Sequence, residues 1–291
     1  MRPLQRPETT NPLAKVDAGL SDETLSVIRG GVQSSTMALM IAHGELDHVD
    51  AAIFADTQWE PRKVYDWLDW LEAEIQRCPH AFPIYRVTKG SLRNAAIRSK
   101  NSSGGRFASI PWHITMPNGD RAMGRRQCTR EFKIEPLTKK YRELVGLASR
   151  QRAKGILCET FIGISTDEAL RMKPSREPWN VHRWPLIEKG MARHDCLNWM
   201  ERKGYPMPPK SSCIGCPYHS DHEWRAIKAD PEAWADALEI DRIIREPARE
   251  MRGRQFMHRS CVPLDQVDLS TAEDHGQVDM FNNECEGMCG V

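Results

Sequence analysis

Thr24-Leu25-Ser26-Val27-Ile28-Arg29-Gly30-Gly31-Val32-Gln33-Ser34-Ser35-Thr36-Met37-Ala38-Leu39-Met40-Ile41-Ala42 joins three kinds of local order in one short run. Residues 24–28 read as a buried strand. Arg29, Gly30 and Gly31 form a tight turn. Ser34, Ser35 and Thr36 then open an apolar run of strong helix formers. A glycine pair lets the backbone bend sharply and approach an anion. The helix start that follows offers unpaired N–H groups and a partial positive charge, with three hydroxyl donors beside them. The stretch is therefore a phosphate loop of the strand–turn–helix kind, without the lysine-bearing pattern of the common nucleoside triphosphatases.

The chain continues in the same alternation. Residues 49–55 read as a second strand, closed by Asp56 and Thr57. Pro61 opens a helix in which Val64, Trp67, Leu68, Leu71 and Ile75 keep helical spacing. Residues 82–87 read as a third strand, 133–146 as a helix, 159–164 as a strand and 193–203 as a helix. Such alternation predicts a parallel, Rossmann-like α/β sheet with helices on both faces. Residues 100–125, rich in glycine, serine and arginine, read as a long surface loop, the natural place for a lid. Residues 171–183 read as a proline-dotted loop. The prolines at 206, 208 and 209 mark a boundary. We therefore expect a flexible leader over 1–22, an α/β domain over 23–204, and a small, mostly helical C-terminal region over 205–291 that carries a cysteine-ligated metal site.

A formal net charge of +1 gives no bulk attraction to nucleic acid or membrane. The sequence shows neither a signal peptide nor an apolar run long enough to span a bilayer, so a cytoplasmic protein with no membrane partner is expected. Nine cysteines are many for such a compartment, and there they point to metal ligation or thiol chemistry rather than disulfides. Cys158 and Cys196 lie in apolar patterns and read as core residues. So do most of Trp179, Trp184, Trp199, Trp224 and Trp234.

Cys213-Ile214-Gly215-Cys216 followed by Pro217 carries the sharpest chemical signal. Two thiolates at this spacing fit half a zinc site, a redox dithiol or part of an iron–sulfur cluster. Cys128 is the leading partner, because Arg125, Arg126, Arg130 and Lys133 surround it with positive charge that favours a thiolate. With Lys139 and Lys140 these residues also form an anion-binding stretch, suited to nucleotide phosphates or a nucleic acid. Asp56 closes the second strand at the sheet edge where open α/β folds bind ligands.

Arg29 to Ser35 resembles the PP-loop of the adenine nucleotide α-hydrolase superfamily, which includes N-type ATP pyrophosphatases, PAPS reductases and tRNA thiolation enzymes. Further segments resemble its PAPS-reductase-like branch, of the kind common in phages and prophages. They are Phe54 to Glu60, Arg126 to Arg130, Lys133 to Leu137, Gly163 to Glu168 with Arg171, Trp184 to Leu186, and Cys213 to Pro217. The resemblance implies an adenine nucleotide, ATP or PAPS, with Mg²⁺ a candidate companion. It would be held by Arg29, Gly30, Gly31, Gln33, Ser34, Ser35, Asp56, Thr57, Glu168 and Arg171, with Arg193 and Asp195 in support. Arg29 stands where relatives have serine and Gln33 where they have aspartate, and both changes favour an anion.

The same resemblance implies a [4Fe–4S] cluster, with zinc as the alternative, on Cys128, Cys213 and Cys216. Either an iron stays open, or His219, Cys285 or Cys289 completes the set. Asp56, Cys128, Cys285 and Cys289 are the implied catalytic residues, since Glu284-Cys285 is similar to the mobile Glu-Cys-Gly tail of PAPS reductases. Three functions follow as expectations. The first is an ATP-dependent sulfurtransferase acting on tRNA, DNA or a small-molecule acceptor. The second is a PAPS or APS reductase served by a thioredoxin-like reductant. The third is a non-catalytic, zinc-stabilised nucleotide-binding module. The Gly-Gly-x-x-Ser-Ser core and the lone Cys128 favour the first.

Overall fold

The computed structural model describes residues 25–29, 32–98, 110–148, 150–246 and 253–270. Five parallel strands form the main sheet: β1 (Leu25–Arg29), β2 (Ala51–Asp56), β3 (Ile84–Thr88), β6 (Cys158–Ile162) and β7 (Asn180–Arg183). Their order is β3-β2-β1-β6-β7. The direction of winding reverses at β1, between β2 and β6, and this is where a doubly wound sheet opens a crevice at its carboxyl edge.

Helix α1 (Val32–Ala42) packs against α2 (Arg62–Ile75) and α6 (Arg193–Arg202). Its run from Met37 to Ala42 is buried all round, as expected of a helix without a polar face. Strand β2 alternates as a doubly covered strand must. Ala52 and Phe54 join the α1–α2–α6 core, while Ala51 and Ile53 join Leu137 and Tyr141 of α4 (Glu135–Leu144) on the other face. Helix α2 begins directly after Pro61 and buries Val64, Leu68, Leu71 and Ile75, at the expected spacing.

A second core lies beyond the sheet edge. It gathers Trp59, Leu92, Ala96, Ile110, Trp112 and Phe132 with Trp224 and Ile227 of α7 (Asp221–Lys228) and Ala237, Ile240 and Ile244 of α8 (Pro231–Arg245). Leu92, Ala96, Ile110, Trp112 and Phe132 from the middle of the chain thus share one core with the C-terminal helices. Cys158 and Cys196 are buried, and burial pushes each thiol up to about 12.

Two segments differ from the sequence expectation. Within 100–125, the described part is not a loose loop. Ile110 and Trp112 are buried, and β4 (His113–Thr115) and β5 (Arg121–Met123) form a hairpin. Its turn uses Gly119 at φ 88°. The hairpin pairs through β4 with β8 (Arg254–Phe256), so the order is β5-β4-β8. The end of the 171–183 stretch is β7, an edge strand of the parallel sheet. Its sequence, Asn-Val-His-Arg, lacks the apolar run of a central strand because only one side of it is paired. Residues 99–109 of the expected lid, the leader, Gly30, Gly31, Cys285 and Cys289 lie outside the described residues.

Candidate functional site

The carboxyl edge of the sheet assembles the first half of the site. Arg29 ends β1, opposite Ile53 and Ile162. Gln33, Ser34 and Ser35 form the first turn of α1 and are buried. Gly163, just past β6, lies against that turn so closely that a Cβ there would stand 2.6 Å from the Ser34 backbone nitrogen. Glycine is thus what lets β6 and α1 meet. Gln33 Nε2 donates to Glu168 Oε2 at 2.9 Å and lies 3.4 Å from Ser165 Oγ. Glu168, in the 3₁₀ turn Thr166–Arg171, pairs with Arg171. Arg171 Nε and Thr36 Oγ1 are buried with no hydrogen-bond partner among the described residues, so Arg171 offers a donor to a ligand. Ser35 Oγ accepts from Trp67 Nε1 at 3.1 Å, which ties the helix start to α2. Nearby, Arg193 N–H donates to Asp167 Oδ1, and Asp195 caps the start of α6.

Asp56 sits at the end of β2. Its Oδ1 accepts from the Gln58 N–H at 2.7 Å and from the Tyr65 hydroxyl at 2.8 Å. Burial, followed by that bond to Asp56, pushes the Tyr65 hydroxyl pKa up. Gln58 occupies φ 54°, a backbone state that costs a side-chain-bearing residue energy and tends to collect at functional turns.

The turn carries the chain directly into the second half. Cys128, Cys213 and Cys216 line one cavity, together with Thr57, Arg126 and Lys133. The three cysteines come from two segments 85 residues apart in sequence. Cys128 immediately precedes a π-helical turn (Thr129–Ile134) that leads into α4. Such turns often mark functional sites, and both Thr129 and Lys133 line the cavity. Cys213 Sγ lies 3.2 Å from Thr57 Oγ1 and 3.5 Å from Glu60 Oε1. Burial first, then the Glu60 carboxylate, pushes the Cys213 thiol well up, against the pull of Lys133 and Thr57. Among the described residues, no three His, Cys, Asp or Glu side chains are grouped so as to hold a metal ion.

Glu60, which precedes α2, joins the two halves. Its side chain is 0% exposed and lies 3.5 Å from Lys133 Nζ. It accepts from Thr57 Oγ1 and from Ser211 Oγ. Ser211 in turn lines a neighbouring apolar cavity with Ser34 and Ser35. The cysteine loop is also keyed to Trp59: Ile214 N–H donates to the Trp59 carbonyl, and a Cβ on Gly215 would stand 2.1 Å from the Trp59 ring. His219 stands behind the loop. Its Nε2 is 3.0 Å from the Cys213 carbonyl, and its Nδ1 is 3.5 Å from Glu223.

No protein-family model and no curated protein sequence matches the chain. It is similar to a PAPS reductase. The crystal structure of phosphoadenylyl-sulfate reductase from Candida auris, a phosphate complex, matches at 17% identity and a TM-score of 0.41. The match covers 65% of this chain and 76% of that one. At that level the likeness bears on neither substrate nor reaction. Among the described residues, no helix is long and apolar enough to cross a membrane.

The residues that the sequence singled out thus fall into two neighbouring groups: Gln33, Ser34, Ser35, Glu168 and Arg171 at the sheet edge, and Thr57, Cys128, Cys213 and Cys216 around the cavity. Glu60, Gly163 and Ser165 lay in segments that carried the resemblance but were given no role, and Ser211 was not singled out.

Proposed function

We propose that the protein is an adenine-nucleotide-dependent sulfurtransferase. An acceptor oxygen attacks the α-phosphorus of ATP, and pyrophosphate leaves. Hydrosulfide then bonds to the activated carbon, and AMP departs with the former acceptor oxygen. One observation carries this reading: three thiols from distant parts of the chain line a cavity whose wall, Thr57, directly follows Asp56 at the ligand-binding edge of the sheet. Sulfur chemistry and nucleotide chemistry would then be adjacent.

In this reading the α1 start and Arg171 Nε bind the phosphates: a helix start carries N–H groups with no intrahelical partner, and Arg171 Nε is buried without a hydrogen-bond partner among the described residues. Glu60, Lys133 and Ser211 hold the wall between the two halves. Cys128, Cys213 and Cys216 would hold a [4Fe–4S] cluster. The donor set fits: it is all sulfur, Arg126 and Lys133 offset thiolate charge, and a cluster meets each cysteine at a separate iron. Such thiols need not converge on one point, as the donors to a zinc ion must. When bound, a cluster with three cysteine ligands supplies an iron that can carry the sulfur to be transferred.

Two measurements test the proposal together. Anaerobically purified protein is assayed for iron and acid-labile sulfide, and its turnover is followed as pyrophosphate from ATP against sulfite from PAPS. Iron, sulfide and pyrophosphate release are the expected result. Sulfite release with a thioredoxin as reductant would replace the proposal with a reductase. An iron-free protein that binds nucleotide without turnover would leave a binding module.

A further inference from the structure

Several arginines near the sheet are neutralised. Arg86 pairs with Asp69 and Glu72, Arg93 with Asp236 and Glu239, and Arg183 with Asp47, Glu159 and Glu188. Beside the thiol cavity lie three arginines without such partners. Arg121, Arg125 and Arg254 are exposed, and none of the described residues pairs with them. Nearby acids are engaged otherwise: Asp120 accepts from Asn118, and Glu135 pairs with Lys89 and Arg130.

Strand register aligns these charges. Thr115 of β4 is flanked by Arg121 on β5 and Arg254 on β8. His113, two residues along β4, lies on the same sheet face, because side chains two apart share a face. His113 Nε2 lies 3.1 Å from the Pro217 carbonyl of the cysteine loop, and Pro217 lines the cavity. The face that bears Arg121 and Arg254 is therefore continuous with the cavity rim. Met123, 39% exposed, lies on it too. At the rim, the Arg126 guanidinium sits 5.3 Å over the Tyr218 ring, and both line the cavity. Arg121 and Arg254 are two strand spacings apart, roughly 10 Å. Successive phosphates of a strand can occupy such a span.

We infer that the β5-β4-β8 face binds a single-stranded segment of nucleic acid and delivers one of its bases to the cavity rim, with Tyr218 and Arg126 as the stacking platform. This rests on the proposed sulfurtransferase reading and makes a nucleic-acid base the acceptor class, in place of a small molecule.

Fluorescence anisotropy tests it on the full chain, with a labelled 20-nucleotide RNA, the matching DNA strand and their duplex forms. Three phosphate contacts give a log–log salt slope of about −2 for single strands, or about a 20-fold loss of affinity between 50 and 200 mM salt. Arg121→Glu with Arg254→Glu should weaken binding at least tenfold and flatten the slope by about 1.4, and circular dichroism should be unchanged, since both side chains are exposed. RNA and DNA arms identify which strand is preferred. An unchanged slope in the double variant, or no binding to any oligonucleotide, overturns the inference, and a duplex bound as tightly as the strand overturns the single-strand assignment. Oligonucleotide binding without pyrophosphate release from ATP would uphold this surface while sinking the sulfurtransferase reading. Pyrophosphate release with a small acceptor and no oligonucleotide binding would do the reverse.

Discussion

Replacing Gly163 with alanine sets two effects of opposite sign against each other. Gly163 is not in the left-handed region, so alanine is compatible with its backbone. Without a contact, Gly163→Ala would stabilise the fold by about 0.4–1 kcal/mol through the unfolded chain. The structure supplies a contact. The new Cβ would stand 2.5 Å from Ser34 Oγ, 2.6 Å from Ser34 N and 2.8 Å from Ser34 Cα. The hydroxyl can rotate away, but the backbone of α1 cannot. Relief to an ordinary contact of about 3.5 Å asks the helix start to move by about 0.9 Å. Overpacking of this kind costs about 1–3 kcal/mol, which exceeds the entropic gain. A shift near 1 Å in a binding element can cost about 100-fold in rate. We expect a Tm several degrees lower by calorimetry and a fall of one to two orders of magnitude in pyrophosphate release from ATP. A Tm equal to or above that of the wild type, with unchanged turnover, would refute the claim that Gly163 seats the phosphate loop.

The remaining expectations concern the cavity wall and the thiols. Gly215→Ala should lower bound iron per chain, measured by a chelation assay, because its Cβ would collide with Trp59 at 2.1 Å; full iron occupancy would contradict the keying of the loop to that ring. Glu60→Ala should cost about 3 kcal/mol in urea unfolding, the low end for breaking a buried pair because Lys133 keeps some exposure, and Glu60→Gln, which can accept from one of the Thr57 and Ser211 hydroxyls and donate to the other, should cost less. Burial alone raises the Glu223 carboxyl, but His219, Lys210 and the Ser220 N–H hold it well below the usual carboxylate range. A depressed carboxylate contributes stability above its unfolded value near 4.3, and that contribution is lost as pH falls from there. Tm should therefore drop below about pH 4.5, and Glu223→Gln should flatten that acid arm; an unchanged arm would count against the assignment. Cys158 and Cys196 should resist iodoacetamide in the native protein at pH 8, as their burial requires, and mass spectrometry that found them alkylated would show the core to be open.

Local sequence was enough wherever a signal is carried by neighbours along the chain. The start of α2 after Pro61 and the buried spacing of Val64, Leu68, Leu71 and Ile75 appear where periodicity put them, and β1 and α1 follow in the expected order, though Arg29 ends the strand and the helix starts at Val32, ahead of the three hydroxyl residues. Asn180–Arg183 and the β4–β5 hairpin were not legible in this way. A polar edge strand needs no apolar run, and a three-residue strand is too short to show a period.

By itself, then, the sequence determined the α/β alternation and the Cys-x-x-Cys pair, because each depends on contacts within a few residues. Only the tertiary structure decided that Cys128 shares a cavity with Cys213 and Cys216, that Glu60 is sealed against Lys133, and that Arg121 and Arg254 align across β4. Those facts arise from how separate elements pack and register against one another, and no local pattern along the chain encodes a through-space meeting of segments tens of residues apart.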